Sequence, residues 1–260
     1  MVESSTEDRP VLPKEATVPH PTTHDDAPRG RPYLSAMSHP RLLPLYDAFT
    51  RLAGVRSTQW RLVAQAGIAP GATVLEIGAG TGTVLLLAKR AVGTATVTGL
   101  DPDPRALAIA HRRAAREGVE VRLDHGYADR LPYADGSVDR VLSAFMLHHL
   151  PGAEKAAALR EAHRVLAPGG SLHIVDLGGE QRGVVGRLLH RSHRAGRVEQ
   201  DAARDHGHHG DQGPAPLRGP EIAAPHEVVR LLREAGFAEP GPVGQGRTAV
   251  GGVTFYRAAR

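Results

Sequence analysis

The sequence predicts an α/β fold, a mostly parallel sheet of seven strands with helices on both faces. Three observations point to it. From Thr73 onward, short aliphatic or β-branched runs alternate with segments of helical period, the pattern of a parallel sheet covered on both sides. The first of these strands runs into the glycine-rich turn Gly78-Ala79-Gly80-Thr81-Gly82. The second ends on an acid, Asp101. In such sheets the ligand sits outside the carboxyl ends of the strands, so both features lie where chemistry is expected.

The elements follow in order. Residues 1–32 hold Pro10, Pro13, Pro19, Pro21, Pro28 and Pro32 among charged and hydroxylated residues. No helical or strand period survives there, and a disordered tail is expected. The remainder, 33–260, reads as one domain. It opens with a helical cap over 38–67, with Leu42, Leu45, Tyr46 and Phe49 and then Trp60, Leu62, Val63 and Ala66 at helical spacing, stopped by Gly67. Strands are expected at Thr73–Ile77, Ala95–Leu100, Val119–Leu123, Val138–Ser143 and Leu172–Leu177. Two more are expected at Phe237–Gln245 and Val250–Arg257, joined by a turn near Gly246. Helices are expected at Thr81–Ala91, Pro104–Glu117, Glu154–Leu166 and His226–Ala235, the third ended by Pro168-Gly169-Gly170. The long connection 178–225 reads as a lid or insertion.

Composition narrows the function classes. With no cysteine among 260 residues, disulfides, thiolate metal sites and cysteine nucleophiles are excluded. The net charge is +4, nearly all of it arginine, since lysine occurs only at Lys14, Lys89 and Lys155. The arginines are interleaved with acids, which argues against a dedicated nucleic-acid surface. No run approaches the ~20 apolar residues of a membrane span, and the polar start lacks the apolar core of a signal peptide. A cytoplasmic location is the expectation.

The glycine turn and the acid after the next strand suit a nucleoside cofactor. Glycines allow positive φ and close approach to the bare backbone, and an acid about 20 residues on can accept both ribose hydroxyls. A dinucleotide fingerprint places its last glycine where this chain has Thr83; the glycine comes one residue earlier, at Gly82. The first strand also carries Glu76, which would repel a pyrophosphate and favour a cation or amino group.

Val74–Gly82 closely resembles the first motif of class I S-adenosylmethionine-dependent methyltransferases, and Asp101-Pro102 their second. Gly126–Tyr133 resembles the loop whose acid meets the adenine amino group. Ser137–Ser143 with Leu147–Leu150 resembles the fourth motif, and Leu166–Leu172 the turn before strand five. The subgroup it resembles includes the ubiquinone and menaquinone biosynthesis methyltransferases. The resemblance implies a Rossmann-like fold, S-adenosylmethionine as cofactor, and roles by position. Gly78, Gly80 and Gly82 pass the methionine part, with Glu76 setting the field there. Asp101 holds the ribose, Pro102 lies beside the adenine, Ala128 and Asp129 meet its edge, and Ser143 sits beside the methyl group.

Methyl transfer from a sulfonium needs alignment and exclusion of water, and a base only where the acceptor loses a proton. His148 and His149 are the candidates, one facing the cofactor and the other the core or solvent; His148 is preferred. His125 reads as structural. No metal site is expected. His190, His193, His206, His208 and His209 cluster in a glycine-rich stretch without clear metal spacing. Arg182, Arg187, Arg191, Arg194 and Arg197 are either a solvated helix face or a cover over the acceptor. The expected partner is a small, partly apolar acceptor. An RNA or protein acceptor, a non-catalytic binder and a dehydrogenase are the other readings. The first lacks an added binding domain, the second lacks an eroded glycine loop, and the third is opposed by Thr83.

Overall fold

In a computed structural model describing residues 54–178, 221–249 and 251–260, the strands are β1 (Thr73–Ile77), β2 (Thr96–Asp101), β3 (Arg122–His125), β4 (Val138–Ala144), β5 (Leu166–Leu177), β6 (Ala238–Thr248) and β7 (Gly251–Ala259). They form a seven-stranded sheet in the order β3-β2-β1-β4-β5-β7-β6. Neighbours from β3 to β5 run parallel, and β7 pairs antiparallel with both β5 and β6. This is the Rossmann-like, mostly parallel arrangement expected. The order reverses at β1, which has β2 on one side and β4 on the other. A crevice at their carboxyl ends is therefore the ligand position.

The helices are α1 (Val55–Ala66), α2 (Thr83–Ala91), α3 (Pro104–Glu117), α4 (Gly152–Val165) and α5 (Pro225–Glu234), with a short 3₁₀ turn at Leu147–His149. They divide between the two faces. Leu62 and Val63 of α1, Leu85 and Leu87 of α2 and Ala110 of α3 pack on one side of the sheet. Leu159, Ala162 and Val165 of α4 and Leu231 and Leu232 of α5 pack on the other. Each buried leucine here stabilises the fold by about 2–5 kcal/mol relative to alanine. Gly67 ends α1 in the left-handed region, at φ 53°, the role its position predicts. Asp103 caps α3, its Oδ1 accepting from the Arg105 amide at 2.9 Å, with Pro104 in the first turn.

Three expectations need correction. β5 begins at Leu166 and runs through Pro168-Gly169-Gly170, where the sequence predicts a turn. Leu166 already pairs with Val138, and a register shift between Val138 and Arg140 absorbs the extra residues as a bulge. The β6–β7 turn lies past Thr248 rather than near Gly246, because Gly246 still pairs with Val253. β3 begins at Arg122, since Val119 closes the end of α3 by donating to the Ala114 carbonyl at 3.1 Å. The expected tail 1–32, most of the cap and all but the ends of the 178–225 connection lie outside the described residues.

Candidate functional site

Three strand ends meet at the reversal of strand order. β1 brings Glu76 and then the glycine turn. β2 brings Asp101. β4 brings Ser143 and, just beyond it, Phe145 to His148.

The turn is held by backbone bonds. Gly78 and Ala79 amides donate to the Leu100 carbonyl at 2.8 and 3.1 Å, and the Gly82 amide donates to Ala79 at 2.8 Å. The three glycines have φ of 76°, 52° and 80°, a region that other residues enter at a cost of about 1–2 kcal/mol. Their surroundings differ. A Cβ on Gly82 would lie 2.8 Å from the Ala110 Cβ, so this glycine serves the packing of α3. A Cβ on Gly78 would lie 2.4 Å from the Met146 Cγ, while one on Gly80 would meet no atom within 4 Å. Gly80 is thus where a ligand can approach the backbone. Arg113 of α3 fastens the turn from behind, donating to the Thr81 carbonyl at 2.8 Å and to the Thr83 hydroxyl at 3.1 Å.

Two acids sit under this turn. Glu76 is buried, and its Oε2 has no hydrogen-bond partner. Burial pushes its pKa well above the usual 4.5, despite the Leu85 amide bonded to the carboxylate, and Asp101 adds to the rise. An ionised, half-satisfied carboxylate is costly in such a place, so burial favours the neutral acid. Asp101 accepts from the Gly80 amide through Oδ2 and from the Asp103 amide through Oδ1, each at 2.8 Å. Burial still pushes it up to about 6. Asp101 therefore shapes the glycine turn besides standing at its edge.

The loop after β3 is built onto Asp101 and α4. The Gly126 amide donates to the Asp101 carbonyl at 3.2 Å. His125 Nε2 lies 3.1 Å from the Pro102 carbonyl oxygen; a carbonyl only accepts, so Nε2 carries the proton there. That bond ties the His125 ring to the backbone just past β2. Ala128 packs against the core and Asp129 is half-buried. Arg164 of α4 donates to the Leu131 and Tyr133 carbonyls at 3.0 and 2.8 Å, while Glu161 accepts from the Leu131 amide at 2.7 Å. These contacts hold the 126–133 loop over β2 and β3.

At the end of β4, Ser143 is buried and its Oγ also lacks a partner. Phe145 adopts φ 56°, a strained conformation for a bulky side chain of the kind that gathers at functional sites. His148 Nδ1 lies 2.5 Å from Asp176 Oδ1, and the His148 amide donates to Asp176 Oδ2 at 2.9 Å. The Leu177 amide adds a bond of 2.7 Å to Oδ1. Burial alone would raise Asp176, but the imidazole and the amides outweigh it and hold the carboxyl below its usual range. Asp176 stays ionised, and a carboxylate only accepts, so the ring proton of His148 lies on Nδ1. His149 packs on His148 at 4.1 Å between ring centroids. Burial, with His148 beside it, lowers His149 to about 4, which leaves it neutral at pH 7.

The ends of β1, β2 and β4, where the strand order reverses, thus carry Glu76, Gly78 and Gly80, then Asp101, then Ser143 and His148, while Pro102 follows β2 and Ala128 and Asp129 follow β3. Gly82 belongs to the turn but faces α3. Sequence reasoning missed Asp176, Arg113 and Met146. The one available signal was Asp176 itself, an acid inside the apolar run Leu172–Leu177. Trp60, at helical spacing with the buried Leu62 and Val63, is 43% exposed on α1 and lies outside the core. Tyr46, Phe49, the histidines from His190 to His209 and the arginines from Arg182 to Arg197 lie outside the described residues. Among the described residues no group of three or more His, Asp or Glu is placed to hold a metal, and no helix is long and apolar enough to cross a membrane.

The donor set fits S-adenosylmethionine. An acid with an unsatisfied buried oxygen suits an amino group and would repel a phosphate, and an open glycine backbone suits an amino-acid moiety. Comparison with known proteins agrees. A family model described as a methyltransferase domain matches residues 74–170. The demethylmenaquinone methyltransferase of Thermus thermophilus is 37% identical over 153 residues, 58% of this chain and 68% of that protein. Methyltransferase GfsG of Streptomyces halstedii is 37% identical over 127 residues, and the chain spans 44% of its length. A SAM-dependent methyltransferase from Aquifex aeolicus shares the fold, with a TM-score of 0.59 at 21% identity, covering 86% of this chain and 99% of that one.

Proposed function

We propose that the chain, which belongs to the class I S-adenosylmethionine-dependent methyltransferases, methylates a small, partly apolar acceptor that gives up a proton in the reaction. The observation that carries this reading is the His148–Asp176 pair beside Ser143 at the reversal of strand order. An acceptor that needed no deprotonation would need no such pair. The likeness to a protein named demethylmenaquinone methyltransferase supports a quinone-like ring compound.

S-adenosylmethionine is the cofactor, and when bound it supplies a methyl group on a sulfonium whose departure as a neutral thioether needs no acid. The chain's own residues bind, orient and move one proton. Glu76 holds the amino group, and Gly78 and Gly80 let the methionine part approach the backbone. Asp101 takes the ribose hydroxyls, with Pro102, Ala128 and Asp129 along the adenine. Ser143 stands at the lip of β4, and Phe145 and Met146 wall the crevice beside it. His148 Nε2 receives the acceptor's proton while its Nδ1 keeps the bond to Asp176, whose negative charge stabilises the imidazolium so formed. His149, neutral and packed on its neighbour, keeps that side of the ring apolar.

The test is transfer from labelled S-adenosylmethionine to a panel of quinols and phenols, with RNA and protein as comparison acceptors. Methylation of a ring hydroxyl compound is expected, slowed about 10²–10⁴-fold in His148→Gln, the range of general-base catalysis. Transfer confined to RNA or protein would sink the acceptor assignment. A full rate in His148→Gln would sink the base.

A further inference from the structure

Lys155 is unusual. It sits in the first turn of α4, whose charged residues ordinarily face water, yet it is 2% exposed. Burying an ammonium costs several kcal/mol unless it is well bonded, so its partners show what it does. Its Nζ donates to the Glu221 carbonyl at 2.6 Å. The Glu221 carboxylate, 3.8 Å away and 58% exposed, is too solvated to matter much. The backbone contact is therefore the main one, a short charge-assisted bond.

Residue 221 meets the site. Its amide donates to the His148 carbonyl at 2.8 Å. One backbone segment is thus gripped from both sides, with its N–H on His148 and its C=O on the Lys155 ammonium. Asp176 fixes His148 at its own amide and at Nδ1. The Glu221 contact fixes the third polar handle, the carbonyl. Without it, the 3₁₀ turn carrying His148 is tied on one side only, and the ring can rotate about the Asp176 contact.

We infer that Lys155 is a positioning residue for His148, acting through the Glu221 backbone clamped between them. It does not touch the acceptor. The significance assigned to His148 rests on the reading of that residue as the base, but the mechanical link does not.

The test uses the full-length protein saturated with S-adenosylhomocysteine. NMR of the far-downfield Nδ1 proton shared by His148 and Asp176 reports the pairing directly, and its assignment is fixed by its loss in His148→Gln. In Lys155→Met, which keeps length and packing but removes the donor, this resonance is expected to broaden or vanish. S-adenosylhomocysteine affinity should stay within about twofold, because the cofactor residues are untouched. Lys155→Arg, which retains donors, is expected to restore the resonance at least in part. A sharp, unshifted resonance in Lys155→Met overturns the inference. Where Lys155→Met fails to fold, Lys155→Leu, which likewise has no donor, replaces it, and a sharp, unshifted resonance there overturns the inference equally.

Turnover separates this from the base reading. With the best acceptor of the panel, Lys155→Met should lower kcat at least tenfold with little change in KM, and should cost nothing further in a His148→Gln background. An equal loss in both backgrounds overturns the inference. A full rate in His148→Gln instead refutes the base reading alone and leaves the NMR result to decide the role of Lys155.

Discussion

Replacing Glu76 with glutamine should stabilise the cofactor-free protein and weaken cofactor binding at once. The side chain is buried, one oxygen lacks any partner, and its pKa stands well above 4.5 because burial disfavours the charged form. The sign follows from linkage. A folded pKa above the unfolded one means the folded state keeps a proton that the unfolded state releases. The group's contribution is complete below 4.5 and is lost as pH rises toward the folded pKa. Each pH unit in that interval costs about 1.4 kcal/mol. Glutamine has the shape of the neutral acid and can still accept from the Leu85 amide, so it escapes that loss. A domain of this size shifts by about 2–4 °C per kcal/mol. Thermal melts should therefore place Glu76→Gln above the parent at pH 8, with the difference closing as pH approaches 4.5. Calorimetry at pH 8 should show S-adenosylhomocysteine bound about 10–100-fold more weakly, the worth of a charged hydrogen bond to an amino group. Glutamine melting at or below the parent at pH 8 would mean that Glu76 is ionised and satisfied in the free protein, and the reasoning would fail.

Three further outcomes follow from the same geometry. Asp101→Ala should weaken S-adenosylhomocysteine by about 10–100-fold, since it removes ribose contacts and frees the Gly80 amide; unchanged affinity by calorimetry would remove Asp101 from the site. Gly82→Ala should cost about 1–3 kcal/mol of stability, because its Cβ would press on Ala110, whereas Gly80→Ala should cost less stability and more cofactor affinity; the reverse pattern in urea melts and titrations would refute the division of roles. Asp176→Asn should lower stability at pH 7, and the gap should shrink as pH falls below 3.8. The reason is that a depressed carboxyl contributes above its unfolded pKa and loses that contribution on protonation; a gap unchanged at pH 3 in urea melts would contradict the ionised Asp176.

Much of this was legible in the sequence where local chemistry decides the outcome. Gly67 ends its helix because a left-handed residue is needed there, and its place after the apolar spacing predicts it. β1 and the glycine turn announce themselves by an apolar run meeting three glycines. What depends on partners distant in sequence was hidden. Pro168 to Gly170 reads as a turn after a helix, and only the pairing of Leu166 with Val138 and of Ser171 with Arg140 on either side makes it strand. Lys155 looks like any solvent-facing lysine near the start of a helix until residue 221 returns beside it. Asp101 was legible as an acid in the right place, but its bonds to two backbone amides were not, since they arise from the path of the turn.

The side chain laid across Gly78 gives the molecule a built-in reporter. The chain has three methionines, and Met146 is the one among the described residues, its Cγ pressed toward the glycine turn from the end of β4. Carbon-13 labelling of methionine methyl groups would give a spectrum of three signals, assignable by one Met146→Leu substitution. The Met146 signal would register each arrival at the crevice, cofactor product or acceptor, in solution and without turnover. A compound that shifts that signal only once S-adenosylhomocysteine is present would mark itself as an acceptor candidate, so a library can be sorted before any methylated product is sought.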